Sequence, residues 1–458
     1  MAFDFYYLAA LPAALLVFYL AMFSIDKLLY LTVFLVPISL PLQEFVPSLS
    51  FDMQLPTEPI LVVLTLLFIF KLIQEHGFDR RILLHPVTLA IIFNIAWIFF
   101  TSLTSTMPLV SFKFMISRLW FVIPFYFIAS QLFVKKRNMR NYVWAYIPLL
   151  LVVIGYAVYR LSQFGFFDQQ LAHKASSPFF RDHTSYGAIL AMLLPFMLGF
   201  ALNRIYTLPF RILCWIVIFI LCFALVFSYT RAAWISILVA TGVYLLFIVK
   251  IKLRTIAIFA GIFFAVFMYY RTDIMMELKS NRQDSSKDMM KHVRSMANIS
   301  TDASNMERIN RWHSAFKMIE EKPVLGWGPG TYQFQYAPFQ LSKDKTIIST
   351  NRGDGGNAHS EYIGACAESG FIGSISLILI MFLTILTAYK IYIKPDTGQQ
   401  VRTLILSASL GLITYYTHGL LNNFLDTDKA SVLFWGFTAM IVALDVYHKE
   451  EEGEKAVY

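Results

Sequence analysis

Charge is scarce in this chain: Asp, Glu, Lys and Arg make up only 15% of its 458 residues, against roughly 25% in an ordinary soluble domain. That scarcity excludes a soluble enzyme and a disordered tail. Cysteine is scarcer still. Three residues cannot build a disulfide scaffold, and Cys214 and Cys222 fall inside one apolar run, where they read as small core hydrophobes. Also missing are a Gly-rich phosphate loop ending in Lys and Ser or Thr, paired cysteines at zinc spacing, and a His-Glu-x-x-His helix. Their absence argues against an ATP engine and leaves no obvious metal centre. Apolar residues are abundant: 57% of the chain is hydrophobic and 16% aromatic.

A membrane-spanning helix takes about 20 mostly apolar residues. Candidate runs lie near 5–23, 28–46, 57–75, 86–105, 110–133, 141–162, 184–203, 208–228, 230–249, 254–270, 369–392, 402–420 and 430–447. The expected fold is therefore an all-α integral membrane protein, a polytopic bundle of 12–13 transmembrane helices. The first two runs are the weakest, because Pro37 and Pro41 interrupt the second. No small-residue cleavage site follows the first, which is expected to be retained rather than removed as a signal peptide.

Lys and Arg gather on alternate connections: Lys71, Arg80 and Arg81; Lys135, Lys136, Arg137 and Arg140; Arg204 and Arg211; Lys250, Lys252 and Arg254; Lys390, Lys394 and Arg402. All five clusters can face the cytoplasm together. The net charge of +9 is then a topology signal near anionic membrane lipid, and no nucleic-acid partner is expected. The expected organisation is an N-terminal membrane part over 1–270, a large external loop over 271–366, a second membrane part over 367–447 and a cytoplasmic tail over 448–458. Within the loop, 279–304 reads as mobile and 304–332 as folded. Ser304 and Glu307 have capping-box spacing, Ile309, Trp312, Phe316 and Ile319 form an apolar stripe, and Lys322 with Pro323 ends the helix. Such an amphipathic helix is expected to lie against the membrane or the bundle.

Ionisable groups in or at the membrane are the informative candidates, because burying charge in lipid is expensive. Arg231 opens the ninth run at its external mouth; the alternative is an arginine snorkelling to headgroups. Arg118 lies deep in the fifth run with Lys113 above it, and either lines an anion pocket or pairs with another helix. Arg308 and Trp312 are four apart and share a helix face, with Arg311 one position off; an arginine fork suits phosphate oxygens, but a solvated helix charge looks the same. His359, in Asn357-Ala358-His359-Ser360-Glu361-Tyr362, follows a Gly-rich run and precedes a helix re-entering the membrane. A helix N-terminus favours the neutral imidazole, the form that accepts a proton as general base. The plain alternative is a hydrogen-bonded structural histidine. Asp426-Thr427-Asp428 resembles a metal-holding Asp-x-Asp but reads better as a solvated turn, so no metal is expected.

Taken in order, Arg308-x-x-x-Trp312, Glu321-Lys322-Pro323-Val324-Leu325-Gly326-Trp327-Gly328-Pro329-Gly330, His359-Ser360-x-Tyr362 and Glu368-Ser369-Gly370-Phe371-Ile372-Gly373 resemble the O-antigen ligase and O-antigen polymerase superfamily of bacterial envelope enzymes. Ser228 to Ala233 resembles that family's arginine-bearing span start. The resemblance implies glycosyl transfer without metal or cofactor at the periplasmic face of the bacterial inner membrane. It implies a glycan donor on undecaprenyl diphosphate and a lipid A-core or other glycan acceptor, as in lipopolysaccharide biosynthesis. His359 would be the base that activates the acceptor hydroxyl, and Arg231 and Arg308 would hold the diphosphate; Arg311 and Arg118 are further substrate-binding candidates. Family patterns often carry Asn after the histidine, where this chain has Ser360. Arg181, Asp182 and His183 form another external polar cluster with no family role.

The leading expectation is a ligase moving finished O-antigen to lipid A-core. A polymerase, or a relative that glycosylates protein, would use the same groups on a different acceptor. A lipid or solute transporter is the alternative from another class, motivated by Arg118 and Lys113, but the internal repeat usual in transporters is missing.

Overall fold

The computed structural model describes residues 11–46, 53–75, 77–166, 172–249, 303–342 and 356–448, with the single positions 255, 345 and 349. The main helices are α1 (Leu11–Phe23), α2 (Ile25–Leu35), α3 (Thr57–Glu75), α4 (Pro86–Leu103), α5 (Pro108–Leu132), α6 (Lys136–Phe164), α7 (His183–Leu202), α8 (Leu208–Phe227), α9 (Arg231–Val249), α10 (Ala303–Glu321), α11 (Glu361–Tyr392), α12 (Gln399–His418) and α13 (Asp428–Tyr447). Among the described residues nine helices, α3 to α9, α11 and α13, are long and apolar enough to cross a membrane. The chain is an all-α polytopic membrane protein.

Most apolar runs become helices with small shifts at their ends. The run over 28–46 does not form one continuous helix. It is helical only to Leu35, passes through a 3₁₀ turn at Val36–Ile38, and pairs strand β1 (Leu40–Pro41) antiparallel with β2 (Gln54–Leu55). Pro37 and Pro41 account for this, since proline lacks the N–H that a continuing helix needs. The run over 254–270, apart from Thr255, and the stretch read as mobile, up to residue 302, lie outside the described residues.

Burial shows which helices are central. α13 is 83% and α7 72% buried over their spans, against 28% for α3 and α9. α7 packs on α12 and α8, α12 on α9 and α13, and α4 on α11. Hydrogen bonds supplement this apolar core: Ser407 Oγ donates to the Pro195 carbonyl at 3.1 Å and Tyr142 Oη to the Val432 carbonyl at 2.8 Å. Pro195 lies inside α7, and its carbonyl accepts this hydroxyl from the neighbouring helix.

α11 is two helices in series. Ser369 (φ −121°, ψ 15°) and Gly370 (φ 69°, ψ 178°) interrupt it, so a short helix leads to a longer one after residue 370.

Candidate functional site

Helix α10 stops at Glu321, just before Lys322-Pro323, because the residue before proline is driven out of the helical region. Its buried face carries polar and charged residues beside apolar ones. Glu307, Asn310, Arg311, Ser314, Ala315 and Met318 are buried, whereas Ile309, Trp312 and Ile319 are half-buried and Phe316 is exposed. A polar face turns inward because its charge is neutralised in place: Arg311 Nε donates to Glu307 Oε1 at 2.7 Å, and the Ser349 hydroxyl donates to Oε2. The Arg311 guanidinium lies 3.8 Å from the Tyr336 ring centroid, and Tyr332 Oη donates to the Arg311 carbonyl at 2.7 Å. Glu307 thus braces Arg311 as well as sitting at capping-box spacing.

The segment after α10 is stitched onto the kink of α11. Trp327 N–H donates to the Ala367 carbonyl at 3.0 Å, Gly328 N–H to the Glu368 carbonyl at 2.8 Å, and Phe371 N–H to the Pro323 carbonyl at 2.9 Å. Gly326 (φ 68°) and Gly370 (φ 69°) are both left-handed. A Cβ on Gly370 would collide with the Val324 carbonyl, and one on Gly326 with the Glu368 backbone. Two motifs some forty residues apart in the chain therefore form one backbone joint. From the other side, Trp97 Nε1 donates to the Ser369 carbonyl at 2.8 Å and Thr106 N–H to the Trp327 carbonyl at 3.0 Å.

His359 lies at the end of this assembly. Ser360 is the N-cap of α11 and its hydroxyl also reaches the Gly419 carbonyl, so it is engaged in holding the helix start. His359 has φ 49°; among the described residues the only other non-glycine with positive φ is Tyr229 at 51°. Such strain gathers where surrounding structure over-determines a residue. For His359 the restraints are Asn357 Oδ1, which accepts its N–H at 3.0 Å, and Trp312 Nε1, which donates to its carbonyl at 3.4 Å. Burial pushes the His359 imidazole down to about 4, helped by the charges of Arg308 and Arg311 and opposed by Glu307 and Asp182. Burial and cations, more than the helix start, keep the ring neutral at pH 7.

Arg308 faces more than one element: its charge reaches His359, His183 at the start of α7, and His418 at the end of α12. Arg231 is the first residue of α9, two positions after strained Tyr229. Thr230, between them, donates its hydroxyl to the His183 carbonyl at 2.8 Å, which ties the start of α9 to the same end of the bundle. Arg118 is largely buried and forms an ion pair with Asp426 at 2.6 Å. Asp426 follows Phe424 and Leu425, whose N–H groups both donate to Glu361 Oε1 at 2.8 Å. Asp428 accepts from Ser39 and Thr57 hydroxyls, so Asp426 and Asp428 serve different partners and are not solvated together. No group of three or more His, Cys, Asp or Glu side chains able to hold a metal ion occurs among the described residues.

Sequence reasoning missed the part several residues play. His418 reads as the end of an ordinary span, and Glu361 and Glu368 fall within the quoted motifs with no role assigned to them. Glu368 Oε1 in fact accepts the Tyr332 N–H at 3.0 Å, and Glu361 accepts the Tyr415 hydroxyl. His183 stacks on His173 with ring centroids 3.7 Å apart.

The fold and this constellation define a polytopic membrane protein with a polar site at one end of its helix bundle. The family model described as O-antigen ligase matches residues 216–378, so over that stretch the chain is similar to ligase- and polymerase-type glycosyltransferases. The matched stretch includes Arg231, α10, the backbone joint and His359. Comparison with curated proteins finds no match.

Proposed function

We propose that the protein is an O-antigen ligase-like glycosyltransferase of the bacterial inner membrane. It moves a glycan from undecaprenyl diphosphate to lipid A-core at the periplasmic face. The alternating basic clusters support the orientation. The observation that carries the reading is the meeting of a neutral, strained His359 with Arg308 at one end of the bundle.

In this reading, an acceptor hydroxyl oxygen attacks the anomeric carbon of the donor sugar. The hydroxyl proton passes to the His359 imidazole, the bond from the anomeric carbon to the phosphate oxygen breaks, and undecaprenyl diphosphate leaves with the electron pair. Negative charge grows on the diphosphate as that bond breaks. Arg308 and Arg231 supply fixed positive charge there, in a site of low dielectric, where such stabilisation commonly amounts to several kcal/mol. The glycosyl diphosphate bond already stores the energy, so neither nucleotide nor metal is required. Arg311, braced by Glu307, holds α10, and Arg118, paired with Asp426, holds the loop around Glu361; both act on the site through the frame.

The test uses purified protein in vesicles carrying lipid-linked glycan and lipid A-core. His359→Ala is expected to keep the wild-type melting temperature while lowering transfer about 10²- to 10⁴-fold; retained transfer overturns the assignment of the base. EDTA is expected to leave transfer unchanged, and loss on chelation would overturn the metal-free mechanism. The base is neutral above its folded value, so kcat/KM is expected to stay level as pH falls from 7 and to drop only near pH 4. An acid limb near 6.5 would show that burial does not act on the working imidazole. Folding has the same sign: with the folded value below the ordinary 6.5, the unfolded chain binds the proton better, so this group's stabilisation is complete above about pH 6.5 and is lost as pH falls towards 4. A transfer product with repeat units joined to one another, instead of glycan on lipid A-core, would reassign the acceptor and make the enzyme a polymerase.

A further inference from the structure

A second imidazole, that of His418, also feels the charge of Arg308. His418 ends α12 and is 1% exposed. With the Asn422 amide assigned so that its nitrogen faces the ring, Asn422 Nδ2 donates to His418 Nε2 at 3.0 Å. An imidazole nitrogen that accepts carries no hydrogen, so the proton of the neutral ring sits on Nδ1. Nδ1 is buried and has no hydrogen-bond partner among the described residues. Buried donors in native proteins almost always have partners, and an exception calls for a ligand or water to complete it.

The position of His418 points to which ligand. The next residue, Gly419, accepts through its carbonyl from Glu361 N–H at 2.9 Å and from Ser360 Oγ at 3.4 Å. Asn357 Nδ2 donates to the Asn423 carbonyl at 3.2 Å. The loop carrying His359 is thus seamed on both flanks to the segment that begins at His418. The charges of Arg308 and Asp182 reach both imidazoles. Beside a guanidinium, a neutral N–H donor adds to anion binding without repelling the existing cation.

We propose that His418 Nδ1–H donates a hydrogen bond to a diphosphate oxygen of the polyprenyl-linked donor, with Asn422 fixing the tautomer that makes this possible. The inference rests on the reading of the donor given above. It concerns a residue outside the stretch of 216–378 that matches the family.

Two conservative replacements separate ligand binding from a structural role. The amide nitrogen of Asn can take the place of Nδ1, whereas that of Gln can take only the place of Nε2, next to Asn422. Binding of undecaprenyl diphosphate to the full-length protein in detergent is measured for wild type, His418→Asn, His418→Gln and His418→Ala, with melting temperature alongside. Hydrogen bonds to charged groups suggest that Ala and Gln weaken binding about 10- to 100-fold, while Asn stays within about 3-fold of wild type. Rescue by Gln and not Asn would show that only the Asn422 contact matters, and equal binding by all four proteins would show that Nδ1 touches no phosphate; either overturns the inference alone, leaving the donor assignment intact. Loss of folding in all three variants would assign His418 to the fold and overturn it too. If wild type binds no undecaprenyl diphosphate, the donor assignment itself fails and the inference falls with it.

Discussion

The cap built on α10 and the helical core of this protein are held by different physics. In the core, α7, α12 and α13 meet through side-chain packing such as Phe196 against Phe437, with ring centroids 4.6 Å apart. In the cap, α10 and the segment after it are fixed by a buried ion pair and by backbone hydrogen bonds to a kinked helix. Packing spreads the stabilisation over many small contacts. A buried charge or a collision-limited backbone joint concentrates it in one residue. Single substitutions in the cap should therefore have large effects, and single polar deletions in the core small ones.

Arg311→Ala should produce the largest effect on stability. Removing one partner of a buried pair leaves the other charge uncompensated, at a cost of about 3–5 kcal/mol. The cap is expected to loosen, seen as faster amide exchange over 303–342 and lower transfer. Arg308→Ala provides the contrast: α10 should keep its protection while donor binding weakens. If Arg311→Ala left exchange unchanged and abolished donor binding, Arg311 would be a ligand of the substrate and the division between bracing and binding arginines would be wrong.

Gly370→Ala comes next. The left-handed backbone costs a β-carbon-bearing residue about 1–3 kcal/mol, and the Val324 carbonyl occupies the space of the new methyl group. The joint is expected to open, with loss of protection at Trp327, Gly328 and Phe371 and only a modest shift in the melting of the membrane helices. Full protection in the variant would mean that the cap has another anchor.

Hydropathy reads the core well because lipid imposes one rule on every residue of a span: backbone groups must bond internally and side chains must be apolar. The apolar run starting at residue 369 coincides with the kink at Ser369 and Gly370. The cap obeys no such single rule. The apolar stripe through Ile309, Trp312, Phe316 and Ile319 does not say which residues the cap buries, because its interior is built on Glu307 and Arg311 and closed by Tyr332 and Tyr336. The Glu-to-Arg spacing of four was visible in the sequence and signals an ion pair on one helix face, but spacing alone does not say that the pair is buried. The partner of Arg118 lies 308 residues away at Asp426, and no local pattern connects them. His359 stood out because a Gly-rich run and a helix start bracket it in the sequence, whereas His418 sits at the end of an ordinary span.

Ser407→Ala should have the smallest effect, and it tests the core side of the contrast. Ser407 Oγ supplies the hydrogen bond to the Pro195 carbonyl between α12 and α7. Interhelical hydrogen bonds in membranes average only about 0.6 kcal/mol, because the unfolded chain in lipid also finds partners. The surrounding contacts between α7 and α12 remain after the hydroxyl is removed. The expected result is a melting temperature within a few degrees of wild type, unchanged exchange in the cap and unchanged transfer. A loss as large as that expected for Arg311→Ala would show that α7 and α12 are joined by a few polar contacts, as the cap is, and the two regions would no longer differ in kind.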